Sequence, residues 1–196
     1  MACITQNESI RFVNKMVRQG INIINPPFIN AYSSLGSRQR TKMSNTIVEA
    51  ITHHESYPAF YMLNLVIDDK SVKHSMLLVL DKIDDGYVLE LFDSNGELDR
   101  DYIWEDNVLT LIDMILPSLE TELETTVSFA EVRAGLDCIN TVGGGNCDAL
   151  TLYYASLRTK LSMSQSNDIL DESPMSKKRI DSINQIIRTS KLETWI

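Results

Sequence analysis

A cysteine that directly follows a run of glycines is the residue of this chain best suited to covalent chemistry. The segment VGGGNC, residues 142–147, precedes a predicted helix. Gly144 and Gly145 let the backbone bend sharply and let a substrate approach closely, and Asn146 is a good N-cap. Cys147 would then lie in the first helical turn, where unpaired N–H groups and the helix dipole stabilise a thiolate or an oxyanion. The pattern favours a nucleophile, and the alternative is a small buried residue at a tight loop.

A nucleophilic cysteine needs a base and a group that orients the base. Of the three histidines, His53 and His54 end a predicted helix, whereas His74 begins a strand. Asp93 ends the next strand, and a hairpin turn at residues 84–85 pairs positions whose numbers sum to about 169. His74 then lies opposite a position two residues from Asp93. A carboxylate there would orient the imidazole and stabilise its charged form.

Helices and strands must bring these residues together. The periodicity of apolar residues predicts helices over residues 8–18, 43–53, 104–116 and 148–161, the third stopped by Pro117, and a last helix from Ser173-Pro174. Strands are predicted over 59–67, 74–80, 87–92 and 126–132, and residues 21–39 are predicted to be irregular. The expected fold class is α+β, with a mostly antiparallel sheet packed against a buried helix that carries the nucleophile.

The order His74, Asp93, Cys147 resembles the adenain/SUMO-protease group of cysteine peptidases, over roughly residues 57–161. The separations here are 19 and 54 residues, close to those of the family. The sequence departs from the family in having Ser75 after the histidine, where tryptophan is common, and Asp148 after the cysteine, where glycine is common.

The resemblance implies a papain-like core of adenain type in a single protease domain, residues 1–196. Its expected parts are an N-terminal helical part (1–56), the catalytic core (57–161), a linker (162–173) and a C-terminal helix (174–196). The family places a glutamine in the oxyanion hole six or seven residues before the cysteine, and Asn140 stands seven before Cys147. Its side-chain amide could donate in the same way. Gly144, Gly145 and Asn146 are the expected substrate groove.

The implied activity is that of a cysteine endopeptidase that cuts viral capsid precursors during virion maturation, after a small residue such as glycine. We expect this protein substrate to be the partner, and the virion and the host cytoplasm to be the location. The expected oligomeric state is a monomer. No cofactor, metal, membrane or nucleic acid is expected to be needed. The alternatives are an isopeptidase that removes ubiquitin-like or SUMO tags, an acetyltransferase with the same residue order, and an inactive interaction module.

Composition is compatible with these expectations. The net charge of −9 disfavours nucleic-acid binding as the main function, because a phosphate backbone needs a basic surface. Residues 81–124 carry fourteen acidic against two basic side chains, which a solvated face or a partner-binding surface would both explain. Three cysteines are too few for a disulfide scaffold and favour a reducing compartment. We expect neither a signal peptide nor a transmembrane helix.

Overall fold

The computed structural model describes residues 5–31, 33–53, 56–69, 72–94, 101–133, 146–171 and 177–189. The helices are α1 (Gln6–Arg18), α2 (Ser37–Thr52), α3 (Ile103–Leu123), α4 (Asn146–Arg158), α5 (Met163–Asp171) and α6 (Lys177–Thr189). The strands are β1 (Ile23–Ile24), β2 (Ile29–Asn30), β3 (Ala59–Val66), β4 (Lys73–Ile83), β5 (Gly86–Asp93) and β6 (Val127–Arg133). None of the helices described combines the length and the apolar character that a membrane crossing requires. The α+β class expected from the sequence is confirmed.

One mixed sheet forms the centre of the fold, with the strands in the order β1–β3–β4–β5–β6 and with β2 also beside β3. Strand β4 pairs antiparallel with β3 and with β5, whereas the short strands β1 and β2 run parallel to β3, and β6 runs parallel to β5. The predicted hairpin is confirmed together with its register, since Leu77 lies opposite Phe92. The sheet is therefore antiparallel at its centre and parallel at both sides.

Helices cover both faces of this sheet. On one face, strand side chains join a core with α1, α4 and α6: Phe60, Met62, Leu77, Val79, Phe92 and Val132. On the other face, the alternate strand residues join a core with α2 and α3: Tyr61, Leu63, Met76, Leu78, Leu89 and Leu91. Burial on both faces explains why β3 and β4 are almost continuously apolar. Every residue of α4 from Ala149 to Arg158 is buried, as predicted for the helix that carries the cysteine.

A buried ion pair joins the far end of α4 to the sheet. Arg158 donates from Nη2 to Glu90 Oε1 over 2.6 Å and to Asp81 Oδ2 over 2.6 Å. The hydroxyl of Tyr154 donates to Glu90 Oε2 over 3.0 Å, and its ring stacks on Phe92 with centroids 4.2 Å apart. Glu90 is fully buried, so these bonds compensate its lost hydration. These bonds fix the position of α4 along the sheet, and therefore also the position of the start of α4, where Cys147 lies.

The predicted end of α3 at residue 116 is wrong, because the helix continues through Pro117 to Leu123. A proline inside a helix removes one backbone hydrogen bond and costs about 3 kcal/mol. Leu119, beyond the proline, is fully buried, and Leu123 packs against the same core. Full burial of a leucine contributes about 1.5–3 kcal/mol, so Leu119, together with the partly buried Leu123, offsets the local cost.

The linker predicted over residues 162–173 is also wrong, since residues 163–171 form α5. Its start has a capping box: the backbone N–H of Gln165 donates to Ser162 Oγ over 3.2 Å, and that of Ser162 donates to Gln165 Oε1 over 3.1 Å. Leu170 is buried in the core beside α4. The S-x-x-Q signature of a helix start was therefore present in the sequence.

The segment 21–39, predicted to be irregular, contains β1, β2 and the first residues of α2. Backbone bonds to β3 order it: Phe60 N–H donates to Asn22 O, and Ala31 N–H donates to Val66 O, both over 2.8 Å. Such pairing is set by a distant strand and not by local propensity. Helix α2 begins at Ser37, six residues before its predicted start at Met43.

Candidate active site

His74 and Asp93 lie together at one end of the central hairpin. The Nε2 atom of His74 is 2.9 Å from Asp93 Oδ1, and both residues are almost completely buried, at 1% and 3% exposure. The register explains the contact: Leu78 pairs with Leu91, and alternation places His74 and Asp93 on that same face of the sheet. The sequence prediction that these two residues are within hydrogen-bonding reach is confirmed.

The electrostatic surroundings of His74 favour the imidazolium form. Burial lowers its pKa, but the charge of Asp93, the hydrogen bond to Asp93, and a hydrogen bond and charge from Cys147 together raise the pKa to about 10. A histidine without partners has a pKa of about 6.5. The ring therefore stays protonated at neutral pH, with a carboxylate on one side and the sulfur of Cys147 within hydrogen-bonding reach.

Cys147 is the second residue of α4 and is 4% exposed. This places its sulfur in the first turn of the helix, as predicted, where backbone N–H groups lack intrahelical partners. Two side chains of α4 fasten this end of the helix to Ser75, the residue after His74. Thr151 Oγ1 donates to the Ser75 carbonyl oxygen over 2.9 Å, and the carboxyl of Asp148 is hydrogen-bonded to the Ser75 hydroxyl.

Trp104 is a neighbour of His74 that sequence reasoning missed as a site residue. It is the second residue of α3, and its ring meets the imidazole edge-on, with centroids 5.4 Å apart and planes at 69°. An aromatic ring in this position restricts the orientation of the imidazole. The sequence feature that could have indicated it is a tryptophan at the start of the helix that follows Asp93, on the face of that helix that packs against the sheet.

The remaining predicted site residues are not all described. Asn140, Gly144 and Gly145 lie outside the described residues, so the predicted oxyanion hole and groove stay predictions at those positions. Asn146 is the first residue of α4, one position inside the predicted cap. Its Oδ1 accepts a hydrogen bond over 3.2 Å from Nδ2 of Asn184 on α6. His53 lies at the end of α2, as expected from the sequence, with its ring Nδ1 2.9 Å from Glu49 O.

Known proteins match this chain in structure but not in sequence. No protein-family model matches the chain, and no curated protein matches it in sequence. Among solved structures, the chain is similar to the ASFV pS273R protease, with a TM-score of 0.61 and 13% identity over 95% of this chain and 66% of that chain. A selenomethionine form of the same protease gives a TM-score of 0.58 over 67% of its length. The chain therefore shares the fold of this protease.

A weaker likeness is found to the Legionella pneumophila effector protein RavZ, with a TM-score of 0.49 and 15% identity, over 85% of this chain and 52% of that chain. The chain thus spans about two thirds of the ASFV protease and about half of RavZ. At 13% identity, the comparison with the ASFV protease shows a shared fold.

Proposed function

We propose that this chain is a cysteine endopeptidase in which Cys147 is the nucleophile, His74 the acid and base, and Asp93 the group that orients His74. The observation that carries the proposal is the buried His74, which bonds to Asp93 through Nε2 and interacts with Cys147. Since Asp93 holds Nε2, the nitrogen that exchanges a proton with the sulfur is Nδ1. This arrangement supports a thiolate–imidazolium pair at neutral pH.

The reaction would begin with the thiolate of Cys147. Its sulfur attacks the carbonyl carbon of the scissile bond, and His74 Nδ1–H gives its proton to the nitrogen of the leaving amine. The backbone N–H of Cys147 and the side-chain amide of Asn140 are the proposed oxyanion donors. Water then attacks the thioester and transfers a proton to Nδ1, which releases the acid product and restores the pair.

The change in charge at Cys147 lets one histidine act in both steps. The hydrogen bond and charge from Cys147 are among the causes that raise the His74 pKa. Acylation removes that negative charge, so the pKa of His74 falls in the acyl-enzyme. The ring is then a better proton acceptor when it has to activate water, and it regains a high pKa when the thiolate is released.

We propose that the substrates are structural precursor proteins of a virus, cut during virion maturation after a small residue such as glycine. The fold similarity to a protease of ASFV supports a viral role. The same proposal places the enzyme in the virion and the host cytoplasm, as a monomeric domain that needs neither cofactor nor nucleic acid. Asn146, Gly144 and Gly145 are the proposed groove at the cysteine.

Cleavage of precursor polypeptides with Gly-Gly-like sites tests this function. The unmodified chain should cut them, Cys147→Ala and His74→Ala should not, and Cys3→Ala, a matched loss of a thiol, should cut as well as the parent. Cleavage that survives in Cys147→Ala would contradict the proposal. Activity confined to fusions with ubiquitin-like proteins would replace the endopeptidase by an isopeptidase that uses the same three residues.

A further inference from the structure

The residues that directly follow the proposed base and the proposed nucleophile are hydrogen-bonded to each other. Ser75 follows His74 on β4, and Asp148 follows Cys147 on α4. A contact at this point controls how closely the start of α4 approaches the start of β4, and therefore the separation of Cys147 and His74. The protonation state of Asp148 in that contact can be worked out from the hydrogen bonds that continue beyond it.

The Ser75 hydroxyl meets two oxygen atoms. One belongs to the carboxyl of Asp148, and the other is Oδ1 of Asn64 on β3, 2.8 Å away. A hydroxyl has one proton to donate and can accept through its lone pairs. If both contacts are hydrogen bonds, then one of the two neighbouring groups must donate to Ser75.

The orientation of the Asn64 amide decides which neighbour donates. Its Nδ2 lies 2.7 Å from the backbone carbonyl oxygen of Pro26 and 2.6 Å from Asn25 Oδ1. A backbone carbonyl only accepts, so the NH2 group of Asn64 must face Pro26 and its Oδ1 must face Ser75. Ser75 consequently donates to Asn64, and its lone pairs face the carboxyl of Asp148.

From this donor count we propose that Asp148 is protonated in the folded protein and donates its carboxyl proton to Ser75 Oγ, as a positioning residue for Cys147. The inference rests on the proposed peptidase function for its role, but not for the location of the proton. A polar chain then runs without a gap from Asp148 through Ser75 and Asn64 to Pro26. The neutral carboxyl also avoids placing a second negative charge beside the thiolate of Cys147.

The electrostatics of this position agree with a protonated acid. Burial raises the pKa of Asp148, and this outweighs the lowering by the Ser75 hydroxyl and by the charges of His74 and Lys73. These two groups lie on β4, the sulfur of Cys147 precedes Asp148 on its own helix, and Asp93 on β5 lies beyond His74. Helix α6 brings an uncharged amide, that of Asn184, to the same end of α4.

Infrared spectroscopy of protein labelled with 13C-aspartate locates this proton without any substrate. We expect a protonated carboxylic-acid carbonyl band at neutral pH that is absent in Asp148→Asn and retained in Asp168→Asn, a matched change at an exposed position. If Asp148→Asn fails to fold, Ser75→Ala serves instead, and it should move the band because it removes the acceptor. A folded parent protein without the band, or a band that persists in Asp148→Asn and does not respond to Ser75→Ala, would overturn the proposal.

Alkylation of Cys147 by iodoacetamide tests the positioning role. Asparagine can donate an N–H to Ser75, so Asp148→Asn should react within about twofold of the parent at neutral pH, whereas Asp148→Ala should react about tenfold more slowly. Equal losses in both variants would overturn the positioning role. A parent protein whose Cys147 is unreactive, but which has the infrared band, would contradict the peptidase function and leave the assigned proton intact.

Discussion

Replacement of Asp93 by asparagine should lower the pKa of His74 while leaving the ring a hydrogen-bond partner. A rise from 6.5 to about 10 corresponds to about 5 kcal/mol in favour of the imidazolium. Removal of one partner from a buried pair typically costs about 3–5 kcal/mol. At 1.36 kcal/mol per pH unit, we therefore expect the His74 titration midpoint of Asp93→Asn to fall by about 2 to 4 pH units, to between about 6 and 8.

The assay is an NMR titration of the imidazole nitrogens, with the His74 signal assigned by His74→Gln among the three histidines of the chain. Glu122→Gln is the matched control, because it removes one carboxylate from an exposed position on α3 and should leave the midpoint unchanged. A midpoint in Asp93→Asn within one pH unit of the parent would refute the electrostatic reasoning.

The same pair makes the stability of the fold depend on pH. Because the pKa of His74 is raised in the folded state, the pair stabilises the fold fully below about pH 6.5, and this contribution is lost as the pH rises towards 10. The difference in free energy of unfolding between the parent and Asp93→Asn, from urea denaturation, should shrink over that interval. If this difference in free energy of unfolding stayed constant as the pH rises, the effect of the substitution would come from packing and not from the charged pair.

Three further substitutions test other parts of the account. Trp104→Leu removes the ring that meets His74 and should slow peptide cleavage about three- to tenfold, since such ring contacts contribute about 0.5–1.5 kcal/mol; an unchanged kcat/KM would argue against a positioning role. Arg158→Ala leaves Glu90 buried without its cation and should lower the free energy of unfolding, measured in urea, by about 3–5 kcal/mol. Lys160→Ala, the control, should change it little. Equal losses in the two variants would contradict a stabilising role for the buried ion pair. Pro117→Ala restores a backbone N–H inside α3 and should raise the free energy of unfolding by up to about 3 kcal/mol. An unchanged or lower free energy of unfolding would contradict the cost assigned to the proline.

The central hairpin and the His74–Asp93 contact could be predicted because their signals are local. The polar turn at residues 84–85 sets the register, and that register alone brings the two side chains onto one face of the sheet. The burial of α4 followed in the same way from its apolar composition. These inferences needed no knowledge of distant parts of the chain.

Other features depended on partners far away in sequence. The short strands β1 and β2 exist because β3 supplies backbone partners. Helix α3 passes Pro117 because Leu119 and Leu123, which follow it, pack against the core. Trp104 reaches His74 only through the packing of α3 on the sheet. The polar chain from Asp148 to Pro26 joins four segments of the chain, so neither its members nor the proton on Asp148 could be predicted from residue spacing. The capping box of α5 was local and was overlooked.

Selective alkylation of the thiol in the first turn of α4 tests the central claim most directly. We expect iodoacetamide to modify Cys147 at slightly acidic to neutral pH, faster than either of the other two cysteines of the chain. His74→Ala should remove this selectivity. Mass spectrometry of the labelled peptides, with Cys147→Ala as the control, gives the answer for each site. Slow labelling of Cys147 that rises only at alkaline pH, with or without His74, would contradict an activated thiolate–imidazolium pair.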